Sequence, residues 1–249
     1  MLTEERYTII LDRVKQNNSV TLTELCELLG ASESTIRRDL TVLDEKGMLK
    51  KVHGGAISAD DRPLNLVERD VEAKSKLFTE EKTAIARYAA SLVDDGDLVF
   101  IDAGTTTEKM IDFLPDKNVI FVTNAFVHAQ KLVRRGFKVY IPAGELKVTT
   151  EAIVGAECVS SIKSYNFTKC FIGANGISLT AGITTPDRNE ASVKSAVVEN
   201  SRDVYILADH SKFGQVSAIT FTQLGRVKII TDKLQDKKYL AKANIKEVM

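Results

Sequence analysis

The apolar positions along the chain change rhythm near residue 60. Tyr7, Ile10, Leu11 and Val14 recur at three- and four-residue spacing, which predicts an amphipathic helix over roughly residues 3–17. Asn17-Asn18-Ser19 interrupts it, and Thr21-Leu22-Thr23-Glu24 is a capping-box pattern ahead of Leu25, Leu28 and Leu29. Gly30 closes that second helix. Ser32 is an N-cap for a third helix carrying Ile36, Leu40 and Leu43, which Gly47 stops. Met48 to His53 then alternates like a short strand before Gly54-Gly55. Three helices with a tight turn between the last two, then a hairpin, predict a winged helix-turn-helix domain over residues 1–57.

Residues 58–69, with Asp60-Asp61-Arg62-Pro63, read as a polar linker. Beyond it the pattern alternates between helix and strand. A helix is expected over roughly residues 70–93. Short apolar runs follow at Leu98–Ile101, Val119–Val122, Lys138–Ile141, Lys169–Ile172 and Val204–Leu207, separated by helical stretches. Such runs mark buried parallel strands, so residues 70–249 are expected to form a mostly parallel α/β domain and the chain as a whole is assigned to the α/β class.

Composition narrows the function classes without naming one. Lys+Arg and Asp+Glu both number 34, so net charge does not advertise a nucleic-acid partner. No apolar run approaches the roughly 20 residues of a spanning helix, and the N-terminus lacks a signal-peptide pattern. A cytoplasmic protein with no membrane partner is expected. Cys26, Cys158 and Cys170 have neither a disulfide framework nor metal-ligand spacing. Neither a metal nor a cofactor is expected, Cys158 and Cys170 read as core thiols, and His128 reads as structural.

The third helix carries the first candidate chemistry. Ile36, Leu40 and Leu43 lie within about 20–40° of one another at 100° per residue and set the core direction. Ser34, Arg38 and Thr41 then point away, flanked by Arg37 and Thr35. One buried face and one face with a guanidinium and hydroxyls is what major-groove reading requires. Arg37-Arg38 beside Asp39 is by itself more often a solvated face. The three-helix-plus-wing context tips the reading toward double-stranded DNA. Ser32, Ser34, Thr35, Arg37, Arg38 and Thr41 are the candidate contacts, with Lys50, Lys51 and His53 on the wing.

In the second domain, Asp102 ends a strand and Gly104-Thr105-Thr106-Thr107 opens the next helix, a pattern suited to cradling phosphate. Thr123, Asn124, Gly144, Glu145, Gly173, Asn175, Gly176, Asp209 and Lys212 fall at other expected strand ends, where open α/β sheets bind ligands. Amides and carboxylates suit sugar hydroxyls, and Lys212 suits a phosphate. Glu190 and Lys194, one helical turn apart, either bind the ligand or pair with each other. A Walker loop and a dinucleotide fingerprint are both absent from the sequence, so the expected ligand is a phosphorylated sugar.

Ala31-Ser32-Glu33-Ser34-Thr35-Ile36-Arg37-Arg38-Asp39-Leu40 and Val52-His53-Gly54-Gly55-Ala56 resemble the signature of DeoR-type bacterial sugar-catabolism repressors. Asp102–Thr107, Thr123-Asn124 and Ala208–Gly214 also resemble that family's sensor domain, so the likeness spans the chain. It implies a repressor with a sensor similar to ribose-phosphate isomerase; one winged domain reads a short half-site, so a homodimer or homotetramer is expected. Gly173–Ile177, Gly182–Asp187 and the first six residues look most like the fructose-operon repressors of low-GC Gram-positive bacteria, which implies fructose 1-phosphate as effector. The alternative is a phosphosugar isomerase fused to a DNA-binding module. By resemblance, the isomerase general base falls at or beside Lys194, with Glu190 one turn earlier. Proton transfer needs a base there. No catalytic residue is therefore assigned.

Overall fold

The computed structural model describes residues 3–17, 19–58 and 71–249. Most of the expected linker lies outside them. The chain divides into two compact units, Met1–Leu64 and Asn65–Met249.

The N-terminal unit runs α1 (Thr3–Asn17), β1 (Ser19–Thr21), α2 (Leu22–Leu29), α3 (Glu33–Glu45), β2 (Leu49–Val52) and β3 (Gly55–Ser58). Local chemistry sets these boundaries. The capping box forms, with Glu24 N–H donating to Thr21 Oγ1 at 3.2 Å and Thr21 N–H to Glu24 Oε2 at 2.7 Å. Gly30 takes the left-handed conformation that ends α2, at φ 59°. Ser32 caps α3 by accepting from Thr35 N–H. Ile10, Leu25, Ile36, Leu40, Leu43 and Leu49 fill one small core. The wing has one strand more than its sequence suggests. β1 pairs antiparallel with β3, giving the order β1-β3-β2. The Gly55 Cα lies so close to that strand that an added Cβ would stand 2.1 Å from the Val20 carbonyl oxygen.

The C-terminal unit opens with α4 (Val71–Ser75) and α5 (Thr79–Ser91), where one continuous helix is expected from periodicity. The break has a visible cause. Lys74 O accepts from Leu77 N–H at 3.4 Å and also from the Lys82 ammonium, while Phe78 turns to φ 52°. There follow β4 (Leu98–Ile101), α6 (Thr105–Ile111), β5 (Ile120–Thr123), α7 (Phe126–Arg134), β6 (Lys138–Tyr140) and a hairpin of β7 (Glu145–Leu146) and β8 (Ile153–Val154). The chain continues through α8 (Ala156–Lys163), β9 (Phe167–Gly173), β10 (Gly176–Ser178), β11 (Gly182–Thr185), α9 (Arg188–Glu199) and β12 (Ser201–Leu207). It ends with β13 (Ile219–Thr222), β14 (Lys228–Thr231) and β15 (Asn244–Glu247).

Seven strands form the main sheet in the order β15-β14-β12-β9-β4-β5-β6. Every pairing in it is parallel. Alternate strand residues face opposite sides. Val99, Ile101 and Phe121 pack under α5, α6 and α7, whereas Phe100, Val122 and Cys170 pack under α8 and α9. β10, β11 and β13 make a separate antiparallel sheet that was not apparent from the sequence pattern. Among the described residues no helix is long and apolar enough to cross a membrane.

Phe100 is 1% exposed and meets Phe167 edge-on with ring centroids 5.5 Å apart. Phe100→Ala is expected to destabilise the C-terminal unit by about 3–5 kcal/mol, read as a lowered midpoint in urea unfolding.

Candidate functional site

In the N-terminal unit, α3 buries Ile36, Asp39, Leu40 and Leu43 and leaves Ser34, Arg37 and Arg38 exposed. Asp39 belongs to the inner face. It accepts from Arg6 Nε at 2.8 Å and from the second guanidinium nitrogen at 3.1 Å, a two-point contact that ties α1 to α3. Arg37 pairs with Glu33 one turn back at 3.3 Å, an exposed contact of little energetic weight. Ser32, Ser34 and Thr35 hydroxyls cluster within 3.0 Å at the N-terminal end. Thr41 Oγ1 donates to Arg37 O, and Lys51 Nζ donates to Thr41 Oγ1 at 2.6 Å. Lys51 thus braces β2 against α3, which strand alternation alone does not reveal. Lys50 and His53 are exposed on β2 and in the turn after it.

In the C-terminal unit a cavity of about 410 Å³ opens at the carboxyl ends of β4, β9 and β12. Of the residues proposed from sequence, Gly104, Thr105, Thr106, Thr107, Gly173, Asn175, Glu190, Lys194, Asp209 and Lys212 line it. The remaining ones sit behind or beside it. Asp102 is buried and accepts from Gly173 N–H at 3.0 Å and from the Lys194 ammonium. Burial pushes its carboxyl up, opposed by Lys194. Asn124 accepts from Ala103 N–H at 3.1 Å and donates to Ile153 O at 3.3 Å, so it braces the turn leading into α6. Thr123 caps Ala125 N–H. Gly144 packs against the Val154 carbonyl and Glu145 is exposed on β7, because the β7–β8 hairpin carries both away from the strand ends. Gly176 lies against the Gln215 carbonyl, where an added Cβ would come within 2.5 Å.

Two further expectations change. Glu190 and Lys194 do not pair with each other. Glu190 accepts from Lys147 at 3.1 Å and Thr150 at 2.6 Å, while Lys194 serves Asp102. The Thr107 hydroxyl donates to the carbonyls of Asp102 and Gly104 at 2.7 and 2.8 Å, so it holds the loop. His128 is buried beneath that loop, with its pKa pushed down to about 3 by burial and its Nδ1 unpartnered. Cys158 and Cys170 are buried, and burial pushes both thiols up to about 12. Glu81, His210 and Asp232 bring ligand-type atoms within 4.8 Å of one another. His210 Nδ1 and Asp232 Oδ2, 2.6 Å apart, are at hydrogen-bond distance.

Lys74, Lys82, Thr150 and Gln215 also line the cavity and were missed. Only Lys82 had a signal. It stands on the buried face of α5 with Ile85, Ala86 and Ala89, a position lysine rarely takes without a role. Its ammonium donates to the Lys74 carbonyl. Burial pushes its pKa down to about 8; Asp209 opposes the shift, and Lys212, Lys109 and Lys74 add to it. Asp102 counters Lys194 and Lys147 counters Glu190, so Lys82 is a desolvated cation facing the cavity.

A helix pair with an outward arginine face, carried by one unit, and an α/β unit with a cationic cavity at its strand ends define a DNA-binding regulator with a ligand-sensing domain. Residues 6–62 match the DeoR-like helix-turn-helix domain, and residues 77–233 match the DeoR C terminal sensor domain. The chain is 42% identical over 237 residues to the "Uncharacterized HTH-type transcriptional regulator FruR" of Bacillus subtilis (strain 168), covering 95% of this chain and 93% of that protein. It is 36% identical to the B. subtilis regulator IolR, over 93% and 92% of the two chains. Against the lactose phosphotransferase system repressor of Staphylococcus aureus (strain N315) identity is 32%, with the same coverage. The chain belongs to the DeoR family of transcriptional regulators. Among solved structures it is similar to ribose 5-phosphate isomerase A from Methanocaldococcus jannaschii, at TM-score 0.41 and 17% identity over 54% of each chain.

The lowered Lys82 pKa sets a pH dependence. Between about pH 8 and the ordinary lysine value the unfolded chain holds a proton that the folded chain has lost. The cost of the buried charge is therefore present below pH 8 and relieved as pH rises. Wild-type stability is expected to gain on Lys82→Met between pH 7.5 and 9.5, measured by urea unfolding of both proteins at each pH.

Proposed function

We propose that this protein represses a sugar-utilisation operon and leaves its operator when a phosphorylated sugar fills the sensor cavity. The observation that carries the effector half is Lys82, a buried cation beside Lys212 and the Gly104–Thr107 loop. Lys82 and Lys212 share the single carboxylate of Asp209, so a phosphate dianion would supply further countercharge, and Asn175 and Glu190 are suited to sugar hydroxyls. Fructose 1-phosphate is the proposed effector, on the resemblance to fructose-operon repressors. Family membership and the outward face of α3 support the operator half. Arg38 reads base edges, with Ser34, Thr35, Arg37 and Thr41 around it and Ser32, Lys50, Lys51 and His53 on the flanks. The site of action is the cytoplasm.

The effector acts only through its differential affinity for the DNA-competent and DNA-incompetent states. One winged domain covers a short half-site, so specific repression uses a homodimer or homotetramer. No catalytic step is assigned. Glu190 Oε1 already accepts from Lys147 and Thr150, which lowers its availability as a general base.

The decisive experiment binds the purified protein to DNA from upstream of its own gene at one fixed salt concentration. Fructose 1-phosphate, fructose 6-phosphate, tagatose 6-phosphate, glycerol 3-phosphate and free fructose are then titrated separately. Selective release by fructose 1-phosphate is expected. Binding that no sugar phosphate alters would sink the sensor reading, and turnover of any bound sugar phosphate would favour the isomerase alternative. Arg38→Ala is expected to lower the ratio of specific to non-specific affinity by about 1–3 kcal/mol. Lys212→Ala is expected to raise the effector concentration for half-release about tenfold or more, with DNA affinity unchanged without effector.

A further inference from the structure

Residues 71–91 contain neither glycine nor proline, yet the helix expected over them is broken between Ser75 and Thr79. A break without either residue points to a side chain inserted into the ladder of main-chain hydrogen bonds. Lys82 supplies it. In an unbroken helix the Lys74 carbonyl would accept the Phe78 N–H, four residues on. Here it accepts from the Lys82 ammonium, and from Leu77 N–H at 3.4 Å. Phe78 turns to φ 52°, a left-handed conformation that a bulky residue keeps only where its surroundings hold it. Its ring meets the His210 ring edge-on, with centroids 5.2 Å apart. His210 is in turn fixed to Asp232, through its backbone N–H at 2.7 Å and its Nδ1 at 2.6 Å.

The break borders the cavity. Lys74, Leu77, Phe78 and Lys82 line it together with Asp209 and Lys212. Helix α4 buries none of its five residues and is the first described element after the winged unit.

We propose that the break between α4 and α5 is a two-state hinge thrown by the effector. The proposal rests on the reading of the cavity as an anion site. In one state the Lys82 ammonium bonds the Lys74 carbonyl and holds α4 off the axis of α5. In the other, the phosphate of the bound sugar takes the ammonium, because an ammonium bonds a phosphate dianion more strongly than an uncharged carbonyl. The Lys74 carbonyl then returns to the Phe78 N–H, Phe78 goes over to right-handed backbone, and α4 and α5 become one helix. This relieves the strain at Phe78 and gives up its ring contact with His210. Gain and loss oppose each other, as a switch that a ligand can bias requires. Straightening also redirects the chain at Val71, where the segment from the winged unit enters, which couples the cavity to DNA affinity.

The test reads hydrogen exchange over residues 71–80 of the full-length protein by mass spectrometry, with affinity for the same upstream DNA and melting curves as a folding control. One arm needs no effector. Lys82→Met removes the ammonium and keeps the apolar stem, so exchange over residues 76–79 is expected to slow about tenfold and DNA affinity to fall about tenfold. Phe78→Gly and Phe78→Ala lose the same ring but differ in backbone preference, since glycine takes positive φ freely and alanine favours the helix. Phe78→Ala is therefore expected to exchange more slowly than Phe78→Gly and to bind DNA about tenfold more weakly. In the second arm fructose 1-phosphate, with inorganic phosphate as a further probe, is expected to slow the same exchange in wild type and not in Lys82→Met. Unchanged exchange in Lys82→Met, or identical glycine and alanine variants, would overturn the hinge. So would release of wild type from DNA by fructose 1-phosphate with its exchange unaltered. The expected pattern in the first arm, in a protein that neither phosphate compound affects, would uphold the hinge and reject the phosphate as what throws it.

Discussion

Lys194 and Asp102 meet at the carboxyl ends of the central strands, and the sensor cavity is built on that contact. Each buried ion costs several kcal/mol to remove from water, so the pair is tolerable only when its geometry is complete. Here Asp102 also takes the Gly173 N–H, which locks the end of β4 to the end of β9, and Lys194 draws α9 onto both. Asn124 extends the same floor by gripping Ala103 and Ile153. The loop from Gly104 to Thr107 is thus held from beneath by Asp102 and Asn124, which do not line the cavity, and by Lys194, which does.

On that floor the distribution of charge is uneven in a useful way. Lysine–carboxylate pairs at Lys194 and Glu190 leave those sites nearly neutral, while Lys82 has a main-chain carbonyl as its hydrogen-bond partner. A desolvated ammonium beside hydroxyls and backbone amides favours an anion over a neutral sugar. The same carbonyl contact interrupts the helix between α4 and α5, so cation placement and local backbone geometry are one feature.

The N-terminal unit solves a different electrostatic problem. With 8 basic and 9 acidic residues in its first 57, it has no net attraction for DNA. Placement compensates. Asp39 is withdrawn into the contact with Arg6, and Glu33 is engaged by Arg37, which leaves Arg38 on the outer face without a neighbouring carboxylate in that contact. Specific reading depends on such local arrangement of donors, while overall charge governs only the non-specific background.

The winged helix-turn-helix was legible because its signals are local: the Thr21–Glu24 box, Gly30, Ser32 and apolar residues at helical spacing all act within one or two turns. Five of the seven parallel strands were legible because buried strands are written as continuous apolar runs, whereas β14 and β15 at one end of the sheet were not read. The strand-end rule drew attention to Gly104, Gly173 and Asp209 for the same reason. It failed for Gly144 and Glu145, where a hairpin with no strong pattern diverts the chain. Contacts spanning tens of residues left no trace in spacing: Lys194 with Asp102 and Lys147 with Glu190. Periodicity thus settled which segments fold and which faces are apolar; only packing decided which charges meet, because a partner far along the chain is chosen by three-dimensional proximity and by the cost of leaving a buried charge alone.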